Sequence, residues 1–357
     1  MEVIKYLGSK RTLVPVLGAM ASAVEATTAV DLFTGTTRVA QEFKRRGLDV
    51  TAADIATYSQ VLAQCYIATD AKSVDRAALD SALTELAALP GKRGYFTRTF
   101  CEESRYLQPK NGQRVDAMRD HLAEQYADSP LFPVLLTALM LAADRVDSTT
   151  GVQMAYLKKW APRALNDLEL RAPELIDGRG SALQEDASAL VDSLPHVDLT
   201  YLDPPYNQHR YFTNYHVWET LVRWDEPEHY GIACKRIDAR DDATKSIFNR
   251  KREMPEALRS IIDRSRAHVV VVSYNDESWV TAETLMQWLR DAGHEDVRLL
   301  AYDSKRYVGA QIGIHNPAGR KVGTVKRLRN TEYVIVAGDT ARVEAAAEAA
   351  AHPSLKV

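Results

Sequence analysis

Apolar residues near the start of the chain follow the order strand, helix, strand within a short span. Residues 29–33 form an apolar run that predicts a buried strand, and residues 34–37 are small and polar, as in a turn. The spacing over 39–46 predicts a helix that ends at Gly47, and residues 49–53 predict a second strand. This order predicts a right-handed βαβ unit with parallel strands.

The pattern then changes to that of helices. Between residues 58 and 172 the apolar positions recur at intervals of three and four, as at Leu79, Leu83 and Leu86. Such spacing predicts helices with one buried face. Because the block is too long for a single crossover helix, we expect a mostly helical insertion in a sheet domain.

Further apolar runs predict that the sheet resumes after this block. Residues 197–202 and 268–273 predict strands, and the consecutive valines of the second run are typical of a strand buried on both faces. Alternating residues at 297–301 and 333–336 predict late strands, with a β-hairpin region near 309–323 between them. Together these runs predict an α/β fold with a Rossmann-like sheet.

These patterns divide the chain into three parts. We expect a sheet domain from residues 1–57 and 180–340, a helical insertion at 58–179, and a tail at 341–357. A single core stops growing at about 250 to 300 residues, so a longer chain is expected to have a second lobe. The tail is rich in Ala and Glu, which predicts a frayed helix or a disordered segment.

Composition and charge narrow the class of protein. With 26% charged and 46% hydrophobic residues, the chain has the composition of a globular protein and not of a disordered or coiled-coil one. Its net charge of -3 does not itself predict nucleic-acid binding, so such a role depends on where basic residues lie. Residues 305–329 contain seven basic residues and no acidic ones. This segment suits contact with phosphates or, alternatively, a solvated hairpin edge.

No sequence pattern indicates a metal or a membrane. Cys65, Cys101 and Cys234 lie far apart and form no Cys/His spacing typical of zinc, so we predict buried reduced thiols and no metal. The longest apolar stretch, residues 131–143, is too short to span a bilayer, and the first residues carry charges instead of an apolar signal core. These features predict a cytoplasmic location.

The clearest chemical signal is the tetrapeptide that follows the strand at 197–202. It consists of Asp203, Pro204, Pro205 and Tyr206. Ligands of open α/β sheets bind at the carboxyl ends of strands, where Asp203 is predicted to lie. The Asp203 carboxylate and the Pro204 carbonyl can accept the hydrogens of an exocyclic amine and stabilise the charge that develops on its nitrogen. Tyr206 is predicted to stack on a base flipped out of a duplex. Alternatively, the tetrapeptide is an ordinary strand-to-loop turn.

Other candidate residues suit a nucleoside cofactor. Asp31 lies near the carboxyl end of the first predicted strand, and Gly35 permits a ligand to approach the backbone closely. Asp54 ends the next strand, where an acid suits the hydroxyls of a ribose. The full Gly-x-Gly-x-x-Gly pattern is absent, which disfavours a nicotinamide dehydrogenase. Tyr6 and Lys10 lie in an N-terminal segment that is a further candidate for the cofactor site. The alternative interpretation of this segment is a turn with solvated charges.

In this order the motifs resemble those of the DNA adenine methyltransferase family of the Dam type, whose cofactor motifs precede Asp-Pro-Pro-Tyr. The resemblance runs from Ile4 to about Val336. It implies a site-specific enzyme that flips adenine out of double-stranded DNA and methylates its N6 from S-adenosylmethionine. It implies cofactor contacts for Tyr6, Lys10, Asp31, Phe33, Gly35, Asp54, Asp186 and Asp203, and catalytic roles for Asp203, Pro204, Pro205 and Tyr206. The loop Phe-Thr-Gly-Thr-Thr lacks the second glycine of the commoner Phe-x-Gly-x-Gly.

DNA contacts are predicted from aromatic and basic residues, with packing or solvation as the alternative. The candidates are Tyr211, Asn214, Tyr215, Arg250, Lys251, Lys305 and Arg306. The helical insertion is a candidate for target recognition, and a cognate restriction or defence system is a candidate partner.

One alternative is a cytosine-N4 methyltransferase, in which Ser is more usual at the position of Asp203. A catalytically inactive DNA-binding subunit is another.

Overall fold

The computed structural model of the chain describes residues 2–8, 10–205, 210–305, 314–315, 321–323 and 329–351. Within these ranges, the side chains of residues 304–305, 314–315, 321–323 and 329 are not described. The predicted site residues Tyr206 and Arg306 therefore lie outside the described residues, and Lys305 is described by its backbone alone. Most of the predicted hairpin region near 309–323 also lies outside them.

The chain forms two compact units, each built from three segments. The helical unit comprises Met1–Tyr6, Ala56–Gln184 and Arg210–Lys245. The sheet unit comprises Leu7–Ile55, Glu185–His209 and Ser246–Val357. Within the described residues, no helix has both the length and the apolar character needed to cross a membrane.

The β-strands alternate with helices along most of the chain. The strands are β1 Thr28–Asp31, β2 Asp49–Asp54, β3 Gly180–Gln184, β4 Val197–Leu202, β5 His229–Tyr230, β6 Lys235–Arg236, β7 Ala267–Asn275, β8 Asp296–Lys305, β9 Ile314–His315, β10 Lys321–Gly323 and β11 Arg329–Gly338. Strands β3, β5 and β6 belong to the helical unit, and the others belong to the sheet unit.

The α-helices precede, separate and follow these strands. They are α1 Val14–Ala23, α2 Arg38–Arg45, α3 Thr57–Ala63, α4 Arg76–Ala88, α5 Tyr95–Thr97, α6 Pro109–Gln125, α7 Phe132–Arg145, α8 Ala187–Leu190, α9 Tyr211–Asn214, α10 His216–Arg223, α11 Met254–Arg264, α12 Ala282–Asp291 and α13 Thr340–Ala350. Two segments, Gln64–Ala68 and Arg98–Glu103, are π-helical, and five short 3₁₀ turns complete the described helices.

Six strands of the sheet unit lie side by side in the order β2-β1-β4-β7-β11-β8. Strand β1 pairs in parallel with β2 and β4, and β4 pairs in parallel with β7. Strand β11 runs antiparallel to both β7 and β8. Four successive valines at 269–272 in β7 are buried, as expected for a strand covered on both faces. This mostly parallel sheet with helical connections confirms the predicted Rossmann-like fold class.

Helix α7 forms the centre of the helical unit. Every residue from Val134 to Asp144 is buried, because a helix that is apolar on all sides belongs in a core. Helices α3, α6 and α10 pack against it. The segment that carries α10 belongs to this unit through long-range bonds: Arg119 Nε donates to the Leu221 carbonyl at 2.9 Å, and the Val217 amide donates to Gln153 Oε1 at 2.9 Å.

The division into units differs from the division predicted from the sequence. Residues 210–245 join the helical unit, whereas the prediction placed them in the sheet domain. The predicted tail contains helix α13, which packs on α1 and buries Val343, Ala346 and Ala350. The Asp339 side chain caps this helix by accepting from the Arg342 amide at 3.0 Å.

Candidate active site

The carboxyl ends of three neighbouring parallel strands bring the predicted acids of the sheet unit to one edge. Asp31 is the last residue of β1 and lies opposite Ala52 of β2 and Tyr201 of β4. Asp54 is the last residue of β2, and Asp203 directly follows β4. Open α/β sheets bind their ligands at this edge, so the topology supports the predicted location of the site.

Lys10 and Asp203 form the central charge pair of this edge. Lys10 Nζ lies 3.0 Å from Asp203 Oδ1 and 3.8 Å from Glu332 Oε2, and the lysine side chain is only 7% exposed. Burial raises the pKa of Asp203 to about 6, while the positive charge of Lys10 opposes that rise. Near neutral pH the pair therefore presents a carboxylate. This pairing joins the predicted N-terminal and catalytic motifs within one unit.

Asp31 is a buried acid with unused acceptor capacity. Its side chain is 1% exposed, and its Oδ1 accepts no hydrogen bond from the residues that the structure describes. Burial, together with the negative charges of Asp203 and Asp54, raises the pKa of Asp31 to about 7, while hydrogen bonds with Thr34 and Phe33 oppose that rise. A buried carboxyl group of this kind is suited to receive a cationic group of a ligand.

The loop after β1 explains the missing second glycine of the first cofactor motif. Gly35 has a φ of +51°, and its amide donates to Asp54 Oδ2 at 2.9 Å. Thr37 occupies the position of the second glycine and has a φ of +63°, a left-handed conformation rare for a β-branched residue. The Thr37 hydroxyl accepts from Gln41 Nε2 at 2.9 Å. The loop thus keeps the backbone shape that a glycine would give.

Phe33 and Asp186 have structural contacts of their own. The Phe33 ring meets the Phe248 ring edge to face, with centroids 4.9 Å apart. Asp186 caps α8, and its Oδ1 accepts from the Ser188 amide at 2.9 Å. The neighbouring Glu185 amide donates to the Asp54 carbonyl at 3.2 Å, which places this segment beside the end of β2. The cofactor contacts of Phe33 and Asp186 remain predictions.

Tyr6 lies in an aromatic cluster of the helical unit. Its ring stacks on Tyr215 with centroids 4.6 Å apart and on Tyr211 with centroids 5.2 Å apart. Tyr58 meets the Tyr6 ring at a tilt, and the two hydroxyl oxygens are 3.4 Å apart. One predicted cofactor residue, Tyr6, and two predicted DNA contacts, Tyr211 and Tyr215, therefore share one aromatic cluster.

Comparison with known proteins identifies the family. Residues 6–285 match the D12 class N6 adenine-specific DNA methyltransferases. The chain belongs to this family. The resemblance predicted from the sequence is thereby confirmed, and so is S-adenosylmethionine, the predicted cofactor, because it is the methyl donor that the family implies.

Several modification methylases are similar to this family member. The modification methylase StsI of Streptococcus sanguinis is 30% identical over 84% of this chain and 48% of its own length. The type II methyltransferase M.NlaIII of Neisseria lactamica is 29% identical over 75% of this chain and 80% of its own length. The chain therefore spans about half of the first relative and most of the second.

A weak likeness to solved structures accompanies these relatives. A precorrin-6y C5,15-methyltransferase from Geobacter metallireducens GS-15 covers 95% of this chain and 94% of its own, with 12% identity and a TM-score of 0.32. Likeness at this level does not bear on the fold of this methyltransferase family member, which its strand order defines.

The sheet edge fits the cofactor of this family on its own chemistry. The buried Asp31 carboxyl suits the cationic amino group of S-adenosylmethionine. The Asp54 carboxylate at the end of β2 suits ribose hydroxyls, and the turn at Gly35 leaves room for close backbone approach. These contacts are predictions that the geometry supports.

The candidate DNA contacts differ in exposure. Arg250 is 40% exposed and pairs with Glu253 at 3.1 Å, and Lys251 is exposed. Asn214 is 5% exposed and Tyr215 is 1% exposed, so both side chains lie in the core of the helical unit. Direct DNA contact is therefore retained as a proposal for Arg250 and Lys251 and not for the buried pair.

The residues that hold Tyr6 in place have no signal in the sequence. Lys5, its neighbour, has its Nζ 3.0 Å from Asp144 and 3.2 Å from Asp147, and Arg163 pairs with Asp147 at 2.7 Å. These acids are more than 130 residues from Lys5 in the chain. No local sequence pattern signals such a pairing.

Proposed function

We propose that this family member is a site-specific DNA methyltransferase that transfers a methyl group from S-adenosylmethionine to N6 of adenine in double-stranded DNA. The observation that supports this most directly is the Lys10–Asp203 pair at the carboxyl end of β4, followed by two prolines. It provides a partly buried carboxylate, which a hydrogen-bonded exocyclic amine requires.

The chain's own residues would perform most of the reaction. Asp203 accepts one N6 hydrogen, the Pro204 carbonyl accepts the other, and the nitrogen lone pair is directed away from the ring. Bound S-adenosylmethionine supplies an electrophilic methyl group on a sulfonium. When the N–C bond forms and the C–S bond breaks, the nitrogen becomes cationic. Asp203, with a pKa of about 6, can receive the proton that the nitrogen then loses and pass it to solvent.

Base flipping follows from the position of the target atom. N6 is not accessible to a methyl donor inside a base-paired stack, so the adenine must leave the duplex. Tyr206 is the proposed stacking partner of the flipped base. A cognate restriction enzyme is a proposed partner, because the similar proteins are named as modification methylases.

The decisive experiment measures which base is methylated. The full chain, labelled S-adenosylmethionine and duplex DNA of mixed sequence should give N6-methyladenine on nucleoside analysis. Asp203→Asn should lower kcat about 100- to 1,000-fold, because the carboxylate stabilises charge only in the transition state. Asp192→Asn, at a 61% exposed position of the same unit, should retain activity.

Other products would contradict the proposal in distinct ways. Label found only in N4-methylcytosine would indicate the cytosine-N4 reaction. Cofactor binding by calorimetry without any transfer to duplex DNA would indicate an inactive DNA-binding subunit. Full activity of Asp203→Asn would remove the proposed role of this carboxylate.

A further inference from the structure

Three side chains with metal-binding atoms come together in the helical unit, apart from the acids of the sheet edge. One carboxylate oxygen of Glu103, one imidazole nitrogen of His229 and the sulfur of Cys234 all lie within 4.8 Å of one another. His229 Nε2 is 3.3 Å from Glu103 Oε2. Zinc bonds of about 2.0–2.3 Å bring ligand atoms to about 3–4 Å from one another, so small side-chain rotations would let all three share one ion.

The local backbone presents His229 and Cys234 together. Strand β5 pairs antiparallel with β6, and the turn between them begins after His229–Tyr230 and ends at Cys234. Gly231 has a φ of +70° and its carbonyl accepts from the Cys234 amide at 3.0 Å. Cys234 has a φ of +45°, a conformation that residues other than glycine rarely adopt. This tight turn directs the cysteine side chain toward its histidine neighbour.

Hydrogen bonds independent of any ion hold the hairpin beside Glu103. Glu103 is the last residue of the π-helical segment Arg98–Glu103. The Tyr106 hydroxyl, three residues later, lies between two carbonyl acceptors, 2.6 Å from that of Gln153 and 3.0 Å from that of Ala233, and can donate its single proton to one of them at a time. On the other side, the Tyr95 hydroxyl donates to the Pro227 carbonyl at 2.5 Å. The segments around the three side chains are thus fixed before any metal binds, as a preorganised site requires.

The mixture of donor types favours one class of ion. A thiolate, an imidazole and a carboxylate match zinc and related divalent transition metals, whereas magnesium and calcium prefer oxygen ligands alone. Cys234 is 3% exposed, while Glu103 is exposed and His229 is intermediate. The cluster therefore opens to solvent on one side, where a water can complete a tetrahedral shell.

We propose that Glu103, His229 and Cys234 bind a divalent ion of the zinc type, with water as the fourth ligand. The ion would clamp the β5–β6 hairpin to the segment that ends at Glu103. Binding breaks the S–H bond of Cys234 and releases its proton to solvent. The proposal does not depend on methyl transfer. The sequence predicted no metal because its Cys and His residues lack a ligand spacing along the chain. The fold brings Glu103, His229 and Cys234 together from distant positions.

Metal titration of the full chain tests this site. After chelator treatment, Zn²⁺ competed against a chromophoric chelator should bind at about one ion per chain, with release of about one proton at a pH below the thiol pKa. Cys234→Ser and His229→Gln should each weaken binding roughly 100-fold or more. Loss of a residue that only supports a ligand weakens metal binding about 10- to 100-fold, and loss of the ligand itself should weaken it at least as much. Co²⁺ should give the visible absorption of a four-coordinate, thiolate-bound ion.

The matched control is Cys65→Ser, since Cys65 is a buried thiol of the same unit outside the cluster. It should bind Zn²⁺ as the unchanged chain does. If Cys234→Ser does not fold, as judged by circular dichroism, Glu103→Gln and His229→Gln provide the same test. Binding that is absent in the unchanged chain, or unaffected by His229→Gln and Glu103→Gln, would overturn the proposal and leave an ordinary ion pair.

Discussion

At the scale of single residues, buried acids determine how the sheet edge responds to pH. The pKa of Asp203 is raised to about 6 and that of Asp31 to about 7, both chiefly by burial. Their pKa values in the folded state exceed those in the unfolded state, so the folded state retains these protons longer as pH rises. Between about pH 4 and pH 7 these two groups therefore lower the free energy of unfolding as pH increases.

Lys10→Met should shift the pH dependence of methyl transfer. Asp203 can accept an amine hydrogen only as a carboxylate, so kcat should fall as pH drops through about 6. The charge of Lys10 lowers the pKa of Asp203, so its removal should move the acidic limb to higher pH. Rate profiles on duplex DNA measure this shift. Lys72→Met, at a 75% exposed position, should not change the pH at which kcat falls. If Lys10→Met also leaves this pH unchanged, Lys10 does not set the pKa of Asp203.

The positions of the site acids could be predicted because the topology of a parallel sheet places them together. Asp31 lies near the end of one apolar strand run, Asp54 and Asp203 directly follow two others, and the carboxyl ends of parallel strands meet at the same edge. The contacts of Lys5 with Asp144 and Asp147 depend on distant chain segments, as does the cluster of Glu103 with its hairpin partners. Such contacts have no signature in local spacing.

At the scale of secondary-structure elements, helix α13 is an integral part of the sheet unit. It packs on α1 and buries three small apolar residues along one face, Val343, Ala346 and Ala350. Helix α1 buries apolar residues such as Val16, Leu17 and Met20. The stability of the sheet unit therefore depends on an element that its composition suggested was a tail.

Ala346→Glu should destabilise the sheet unit markedly. A carboxylate at this fully buried position would lose its hydration, and Arg342, one helical turn earlier, already pairs with Asp339, so the free energy of unfolding should fall by about 3 kcal/mol or more. Ala341→Glu, at an exposed position of the same helix, should change it by less than about 0.5 kcal/mol. Urea denaturation followed by circular dichroism compares them. Equal stability of the two variants would show that α13 contributes little.

Strands were predicted more accurately than the last helix because their apolar runs are strong. The run at 197–202 matches Val197–Leu202, and the run at 297–301 lies inside Asp296–Lys305. Helix α13 buries mainly alanines, which contribute little hydrophobic signal. Its partner α1 lies at the other end of the sequence, so no local pattern reports the packing.

At the scale of the whole molecule, six chain segments alternate between the two units. The prediction of one insertion between two halves of a domain places its two boundaries near the second and third crossings, and it does not contain the first crossing, which follows Tyr6. It missed the return of residues 210–245, because that return depends on bonds from Arg119 and Gln153 to α10. Removal of residues 58–179 alone would therefore leave part of the helical unit without its partners.

Charge distribution, rather than net charge, should determine affinity for DNA. Arg250→Gln should weaken binding to all duplexes alike and reduce the slope of log affinity against log salt by about 1. Arg259→Gln is the control, since Arg259 is 48% exposed and also has acidic neighbours. Fluorescence anisotropy across a salt series measures both slopes. Equal slopes for the two variants would exclude a phosphate contact by Arg250.

The position of β11 between β7 and β8 has a consequence for how the protein is synthesised. Strand β7 carries four consecutive valines. On one side it pairs with β11, which cannot form until residues 329–338 have been synthesised. While the ribosome makes the intervening residues, this apolar edge has no strand to pair with and can associate with other nascent chains. Chaperone binding during translation should therefore be concentrated between the emergence of β7 and that of β11.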